Sequence, residues 1–293
     1  IEPGRMDRFP GIGKHRGNTA GWCLLFHDGR GGCFGDWSSS LSETWQDKQS
    51  RPYSREELLA FARHVKAARI QSEAERRANQ SIAANRAETI WSRSIPAPIN
   101  HPYLSRKGIL PYGARWHIEN TSALDDISPI PPATYWGPLV LPVMSFSGRL
   151  TSLQFIETDG HKRLLLGGRK RGCHIPVAGD MATVLRVVIC EGWATGCALA
   201  KDEPGALVLA AIDAGNLEPV ALSARCRWPS AELIIAGDDD RLTPDNPGAT
   251  KARAAAIASG VLLALPQWPE DAPKHLSDFN DWAQWLAGVD CGQ

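Results

Sequence analysis

Two apolar runs in the sequence end in acidic residues that could bind a cation. The run VVIC, residues 187–190, is followed by Glu191, and the run ELIIAG is followed by Asp238, Asp239 and Asp240. Short apolar runs of this kind are typical of buried strands. Because side chains alternate along an extended segment, we expect Asp238 and Asp240 to point one way and Asp239 the other.

The segment 183–290 alternates between strand and helix patterns. Four apolar runs, RVVIC, ALVLAA, ELIIAG and VLLALP, are each followed by a helical segment. This alternation predicts an α/β fold, a doubly wound parallel sheet with helices on both faces. In a strand order of 2-1-3-4 the first and third strands lie side by side. Glu191 would then face Asp238 and Asp240 where the strand order reverses.

Three carboxylates at one sheet edge repel one another unless a cation neutralises them. Oxygen ligands without His or Cys favour Mg²⁺ or Mn²⁺. Asp278, in the segment SDFNDW, offers a fourth carboxylate at this edge. We interpret Asp213 as a turn or capping residue and Asn216 as the N-cap of the helix that follows the second strand. The role of Asp281 stays open.

Two further segments have the composition of phosphate-binding sites. In NPGATK, a helix start, Gly248 offers backbone N–H groups and Lys251 a charge to a triphosphate, although Lys251 could equally be a solvated helix residue. The sequence HKRLLLGGRKRG is the densest basic stretch of the chain. It predicts a template-binding surface, with a solvated strand edge as the alternative. Its basic residues are Lys162, Arg163, Arg169, Lys170 and Arg171.

The overall composition limits the function classes. The 293 residues include 32 Lys and Arg and 32 Asp and Glu, so any nucleic-acid surface must be local. No apolar run is long enough to span a membrane, and the N-terminal residues lack the apolar core of a signal peptide. Because the sequence begins with Ile1 and not with Met, we expect it to be a piece of a longer chain. The seven cysteines form no C-x-x-C pair, so we expect no structural zinc and a reducing cytoplasm.

Composition shifts divide the chain into four predicted segments. Residues 1–50 form a small strand-rich module with a hairpin turning at Asp28-Gly29. Residues 51–97 are helical, with a capping box at Ser54 and Glu57. Residues 98–182 form a basic α+β segment with a hairpin turning at Ser147-Gly148. Residues 183–290 form the doubly wound unit.

These motifs together resemble the TOPRIM domain of DnaG-type primases. EGWATG is similar to the E-G-Y-A-T-A motif of primases from conjugative plasmids and satellite phages, and AGDDDRLTPDNPGATKA and SDFNDW are similar to later motifs of that family. HPYLSRKGI and HKRLLLGGRKRGCHI resemble the primase core upstream. The resemblance implies a TOPRIM sheet preceded by an α+β primase subdomain and a small N-terminal strand and helix region. It implies metal-binding and catalytic roles for Glu191, Asp238 and Asp240, with Asp278 as a fourth metal ligand.

The resemblance further implies a DNA primase that makes short RNA primers on single-stranded DNA from ribonucleoside triphosphates. It points to a plasmid or phage in a bacterial cytoplasm, and to a replicative helicase, separate or fused, as partner. A TOPRIM metal-dependent nuclease and a non-catalytic single-strand-binding mediator are the alternatives. A topoisomerase needs a tyrosine nucleophile, which usually lies downstream of the TOPRIM unit. All four tyrosines of this chain lie upstream: Tyr53, Tyr103, Tyr112 and Tyr135.

Overall fold

The computed structural model of the protein describes residues 1–14, 16–37, 39, 41–48, 52–116 and 136–288. The chain forms two compact units, residues 1–79 and 80–293. The domain boundaries drawn from the sequence after residues 50, 97 and 182 stay predictions. Parts of the predicted segments lie outside the described residues: residues 15, 38, 40, 49–51, 117–135 and 289–290. In the described part of the chain, no helix combines the length and apolarity needed to cross a membrane.

The first unit contains a four-stranded antiparallel sheet. Its strands are β1 (Met6–Phe9), β2 (Gly21–Leu25), β3 (Gly31–Asp36) and β4 (Leu41–Gln46), paired in chain order. The predicted β2–β3 hairpin is confirmed, and its Gly29 has a φ of 66°, which glycine adopts without strain. One face of this sheet packs on a helix and contributes to a core of Trp22, Leu24, Phe26, Cys33 and Ala68.

That helix, α1 (Arg55–Arg93), contributes residues to both units. The predicted capping box begins it: Ser54 N–H donates to Glu57 across 2.8 Å, and Glu57 N–H donates to Ser54 Oγ across 3.2 Å. Ala68 belongs to the core of the first unit. In the second unit, Ala87 and Trp91 pack against the sheet that follows.

The second unit begins with a five-stranded antiparallel sheet, which we call the middle sheet. Its strands, in spatial order, are β5 (Ile95–Pro96), β6 (Arg115–Trp116), β7 (Leu139–Met144), β8 (Leu150–Ile156) and β9 (Lys162–Leu164), and helix α2 (Pro102–Lys107) lies between β5 and β6 in the chain. The predicted β7–β8 hairpin is confirmed, with Gly148 at a φ of 78°. Phe155 packs with α1 residues, whereas its neighbour Ile156 enters the core shared with the next sheet.

The predicted doubly wound sheet is confirmed in the order 2-1-3-4. Its strands are β10 (Ile175–Ala178), β11 (Arg186–Cys190), β12 (Leu207–Ala210), β13 (Glu232–Ala236) and β14 (Leu262–Ala264). Strand β11 pairs in parallel with both β12 and β13, and β13 pairs in parallel with β14. The sequence reading missed β10, which adds an antiparallel edge beside β12.

Helices cover both faces of this sheet. They are α3 (Trp193–Asp202), α4 (Leu217–Arg227), α5 (Pro247–Ser259) and α6 (Phe279–Leu286). Because side chains alternate along β11, Val187 and Ile189 pack in a core with α4 and α5, whereas Val188 and Cys190 pack with α3 and the middle sheet. The carboxyl ends of the parallel strands therefore meet at one edge, with the middle sheet beside them.

Candidate active site and nucleic-acid interface

Acidic residues lie together at the carboxyl edge of the parallel sheet, which we call the acidic edge. They are Glu191 after β11, Asp238 and Asp240 after β13, and Asp278 before α6. Cys190 and Ala236 are paired in the register of the two strands, so Glu191 and Asp238 follow the ends of neighbouring strands by one and two residues. Burial raises the pKa of Asp238 to about 8, and the charges of Asp278, Glu191 and Asp240 add to this effect. A carboxyl group that is surrounded by other carboxylates and partly removed from water resists ionisation.

Glu191 is part of the same electrostatic group. Burial raises its pKa, and the charges of Asp213 and Asp240 raise it further. The backbone N–H of Ala214 and the ammonium group of Lys162 act in the opposite direction. Glu191 therefore lies between the acidic strand ends on one side and a basic strand of the middle sheet on the other.

The loop after β13 is held by one asparagine that the sequence reading missed. Asn246 Oδ1 accepts hydrogen bonds from the N–H groups of Asp240, at 2.9 Å, and Ala249, at 3.3 Å, and so caps α5. Its Nδ2 donates to Asp239 Oδ1 across 2.6 Å. Asp239 therefore supports the loop, and an Asn before Pro-Gly at a helix start is the signal that could have identified Asn246.

Gly248 supports this loop through its close approach to the acidic residues. Its N–H donates to Asp240 Oδ2 across 2.9 Å, so a carboxylate already uses the donor that we expected to contact a triphosphate. A Cβ at this position would lie 2.8 Å from both Asp238 O and Asp240 Oδ2. Lys251, one turn along α5, is exposed. Of the two predicted nucleotide-binding residues, Lys251 is thus the one with a free approach from solvent.

Asp278 lies at the same edge and also begins a helix. Its Oδ1 accepts the N–H of Asp281 at 2.8 Å as the cap of α6, and its Oδ2 accepts the hydroxyl of Thr195 at 3.1 Å. Burial raises the pKa of Asp278, and the charge of Asp281 raises it further. Asp281 in turn pairs with Lys107 at 3.4 Å, so its carboxylate joins α6 to α2.

The predicted basic residues divide between two sides of the middle sheet. Lys162 reaches the acidic edge, where a Cβ on Gly192 would lie 3.7 Å from its Nζ. Its neighbour Arg163 lies over the Phe155 ring at 4.1 Å and pairs with Glu157 at 3.2 Å. The alternation of side chains along β9 separates the two. They therefore do not form one continuous surface.

The basic loop between β9 and β10 is anchored to the end of β12. Lys170 forms an ion pair with Asp213, whereas Arg169 and Arg171 are exposed. The buried Asn216 donates from Nδ2 to the carbonyls of Lys170 (3.2 Å), Cys173 (2.9 Å) and Ala211 (2.9 Å), and its Oδ1 accepts the N–H of Gly172 (2.9 Å).

Asn216 stands at the predicted N-cap position of α4, but its side chain makes no capping bond to that helix. Asp213, interpreted from the sequence as a turn or capping residue, also makes no side-chain capping bond, although it precedes the 3₁₀ turn Ala214–Asn216. Its carboxylate instead forms an ion pair with Lys170 of the basic loop, and its negative charge raises the pKa of Glu191.

The acidic edge has the chemistry of a cation site. Asp238 Oδ1 is buried and, among the described residues, has no hydrogen-bond partner. In the same part of the chain, no three His, Cys, Asp or Glu side chains already stand close enough to enclose a metal ion. The carboxylates thus influence one another's ionisation without forming a complete ligand set. A hard cation fits this edge, since it would neutralise the repulsion and satisfy the unpaired oxygen.

Comparisons with known proteins agree with this architecture. Residues 186–286 match the Toprim domain family. The chain is 30% identical over 288 residues to a DNA primase TraC of Escherichia coli, covering 93% of this chain and 19% of that protein. It is 39% identical over 132 residues to another DNA primase TraC of Escherichia coli, covering 43% of this chain and 12% of that one.

Among solved structures, the DnaG primase catalytic domain bound to single-stranded DNA resembles 73% of this chain, at 13% identity and a TM-score of 0.45. That resemblance covers 77% of the DnaG chain. This chain spans about a fifth of the length of the first TraC relative, so the similarity concerns a part of a larger protein.

Proposed function

We propose that this chain, whose residues 186–286 form a Toprim domain, is the catalytic part of a DNA primase. The activity is metal-dependent, template-directed synthesis of short RNA primers on single-stranded DNA. The observation that carries the proposal is the group of carboxylates at the sheet edge, with Asp238 at its centre and Lys162 beside it. The similarity to one TraC primase over 93% of the chain supports the reaction class.

Primer synthesis joins a 3′-hydroxyl to the α-phosphate of a ribonucleoside triphosphate. A bound Mg²⁺ or Mn²⁺ would lower the negative charge on the attacking and leaving oxygens of this reaction. We assign the metal-binding role to Glu191, Asp238, Asp240 and Asp278. Glu191, Asp238 and Asp240 are the proposed catalytic residues, because they would hold the cation beside the reacting phosphate. Lys251 and the α5 start at Gly248 would orient the triphosphate.

The template would reach this edge along the basic loop. Arg169 and Arg171 are exposed and have the charge that attracts a phosphate backbone without reading sequence. Lys170 is fixed against Asp213, and Lys162 faces the carboxylates, so these two would act nearer the reacting groups. Arg163 lies on the other side of β9, over Phe155. It would contact the template only if the single-stranded DNA also passed over that side of the middle sheet.

Three further points of the proposal rest on the sequence resemblance. A replicative helicase, separate or fused, is the expected partner, since it would hold the template and raise its local concentration. The expected setting is the replication or conjugation of a mobile element in a bacterial cytoplasm. The segments 98–182 and 183–290 would act as the basic subdomain and the catalytic domain of one primase core.

The direct test is incubation with single-stranded DNA, four ribonucleotides, and Mg²⁺ or Mn²⁺. We expect oligoribonucleotides without an added primer, and no product from the Asp240→Asn variant. The exposed Asp202 at the end of α3 provides a matched control, because Asp202→Asn should leave synthesis unchanged. Metal-dependent nicking without nucleotide incorporation would contradict the proposal in favour of a nuclease. Binding without either activity would favour a mediator.

A further inference from the structure

Strand β4 forms an open edge of the sheet in the first unit. It pairs with β3 on one side, and within the described residues no strand pairs with its other side. Four of its six residues are exposed: Ser42, Glu43, Thr44 and Trp45. A strand edge of this kind presents backbone N–H and C=O groups that can pair with another extended chain.

A groove of about 470 Å³ runs between this edge and helix α1. Thr44 forms its wall on the strand side, since it pairs with the buried Cys33 and so points to the face that packs on α1. The helix side is lined by Phe61, Ala62, Val65, Lys66, Arg69 and Ile70. Ile70 is 61% exposed although it is aliphatic, so the groove leaves apolar surface open to water.

The charges along the groove have one sign. Lys66 and Arg69 are both exposed, and in the described part of the chain neither forms an ion pair. Glu73, the next acidic residue along α1, is held by Arg76 and Arg77 at 2.8 and 2.9 Å and is not available to them. The groove therefore combines an apolar floor with unneutralised positive charge.

We propose that this groove binds an extended segment of a partner protein, with alternating apolar and acidic side chains, as a fifth strand on β4. Backbone hydrogen bonds to the β4 edge would supply part of the affinity. Side chains on one face of the added strand would enter the groove, where apolar ones contact Phe61 and Val65 and acidic ones meet Lys66 and Arg69. This site lies outside the Toprim domain and needs no nucleotide or metal.

Two other occupants fit less well. Single-stranded nucleic acid would satisfy Lys66 and Arg69, but its backbone has no alternating donors and acceptors to match a strand edge. A second copy of β4 would offer one acidic residue, Glu43, which pairs opposite Phe34 and so lies on the face away from Thr44. The acidic extended peptide matches both the edge and the charge.

The test is selection of random eight-residue peptides on the intact chain, followed by anisotropy measurements with the enriched peptides. We expect enrichment of alternating apolar and acidic residues, and slower hydrogen exchange of β4 amides in the complex. Ala62→Trp, which fills the groove, should weaken binding at least tenfold, and so should Lys66→Glu with Arg69→Glu. Arg63→Glu, a reversal on α1 outside the groove lining, is the matched control and should have little effect.

A peptide methylated on alternate backbone nitrogens separates strand addition from simple charge attraction. It should bind at least tenfold more weakly than its unmethylated form if the groove takes an added strand. Equal affinity of the two forms, or equal enrichment on the Ala62→Trp chain, would overturn the proposal. If the chain selected oligonucleotides whose binding is lost in Lys66→Glu, the occupant would be nucleic acid. If it formed concentration-dependent dimers that are lost in Ala62→Trp, the occupant would be a second copy of the chain.

Discussion

The backbone N–H of Gly248 donates to Oδ2 of Asp240 across 2.9 Å, so the start of α5 holds one of the acidic residues in place. Asn246 completes this arrangement, because it accepts the N–H of Asp240 and caps the same helix. The position of Asp240 therefore depends on residues six and eight positions further along the chain.

The first prediction concerns Gly248→Ala. The new Cβ would lie 2.8 Å from Asp238 O and Asp240 Oδ2, so the loop must move. We expect a loss of about 1–3 kcal/mol in the free energy of unfolding, typical of overpacking, and a larger proportional loss of primer synthesis. Urea unfolding and the primer assay measure the two effects.

Gly205→Ala is the control for this substitution, because a Cβ there meets no atom within 4 Å. Unchanged synthesis by Gly248→Ala, with unchanged stability, would mean that the α5 start does not hold Asp240 during the reaction.

The second prediction concerns the pH dependence of the metal-free protein. Burial and the neighbouring carboxylates raise the pKa of Asp238 to about 8, so the folded chain holds this proton more tightly than the unfolded chain. Stability should therefore fall as pH rises from about 4 to 8, by a few kcal/mol at most. Asp238→Asn should be more stable than the wild type at pH 8, and the difference should shrink at pH 5.

With Mg²⁺ at pH 8, the wild type should become more stable than Asp238→Asn, because the ion binds the ionised carboxylates of the wild type and stabilises the folded state. Thermal melts at pH 5 and 8, with and without Mg²⁺, measure both effects. Asp202→Asn serves as the control. A metal-free Asp238→Asn that is less stable than the wild type at pH 8 would show that the carboxylate has a structural role.

The strand pattern predicted the doubly wound sheet and, with a strand order of 2-1-3-4, the edge at which the carboxylates meet. This was possible because a parallel sheet places the carboxyl ends of all its strands at one edge, independently of the loop conformations. Glu191 and Asp238 follow apolar runs that could be recognised as strands without any knowledge of their partners. The β2–β3 hairpin and the Ser54 capping box are local patterns of the same kind.

The features that the sequence did not predict depend on contacts between distant residues. Asn216 looked like a helix cap because it precedes a helical segment, yet three of its four hydrogen-bond partners lie in a loop more than forty positions earlier. Strand β10 pairs with β12 although it lies before the regular alternation begins. Lys162 and Arg163 appeared equivalent in a basic run, but the sheet directs them to opposite sides.

The third prediction tests the anchoring of the basic loop by Asn216. Asn216→Ala removes four hydrogen bonds and leaves buried carbonyls unpaired, so we expect a loss of about 2–4 kcal/mol in stability. Asn216→Asp should be worse, because its carboxylate would face three carbonyl oxygens. Urea unfolding checks this order, with the exposed Asn85→Ala on α1 as control. Wild-type stability in Asn216→Ala would show that the hydrogen bonds of this amide are unimportant.

The last prediction concerns the exposed arginines of the basic loop. If the template follows this loop, Arg169→Glu with Arg171→Glu should weaken binding to single-stranded DNA of every sequence. With fewer phosphate contacts, binding releases fewer counterions. The slope of log affinity against log salt should therefore become shallower by about 0.7 per lost contact.

The control is Lys201→Glu, which reverses an exposed charge at the end of α3 and should leave the slope unchanged. Lys170 is left intact because its ion pair with Asp213 supports the loop, so a fall in affinity cannot be attributed to loss of that pair. An unchanged slope in the double variant would exclude the loop from the template path.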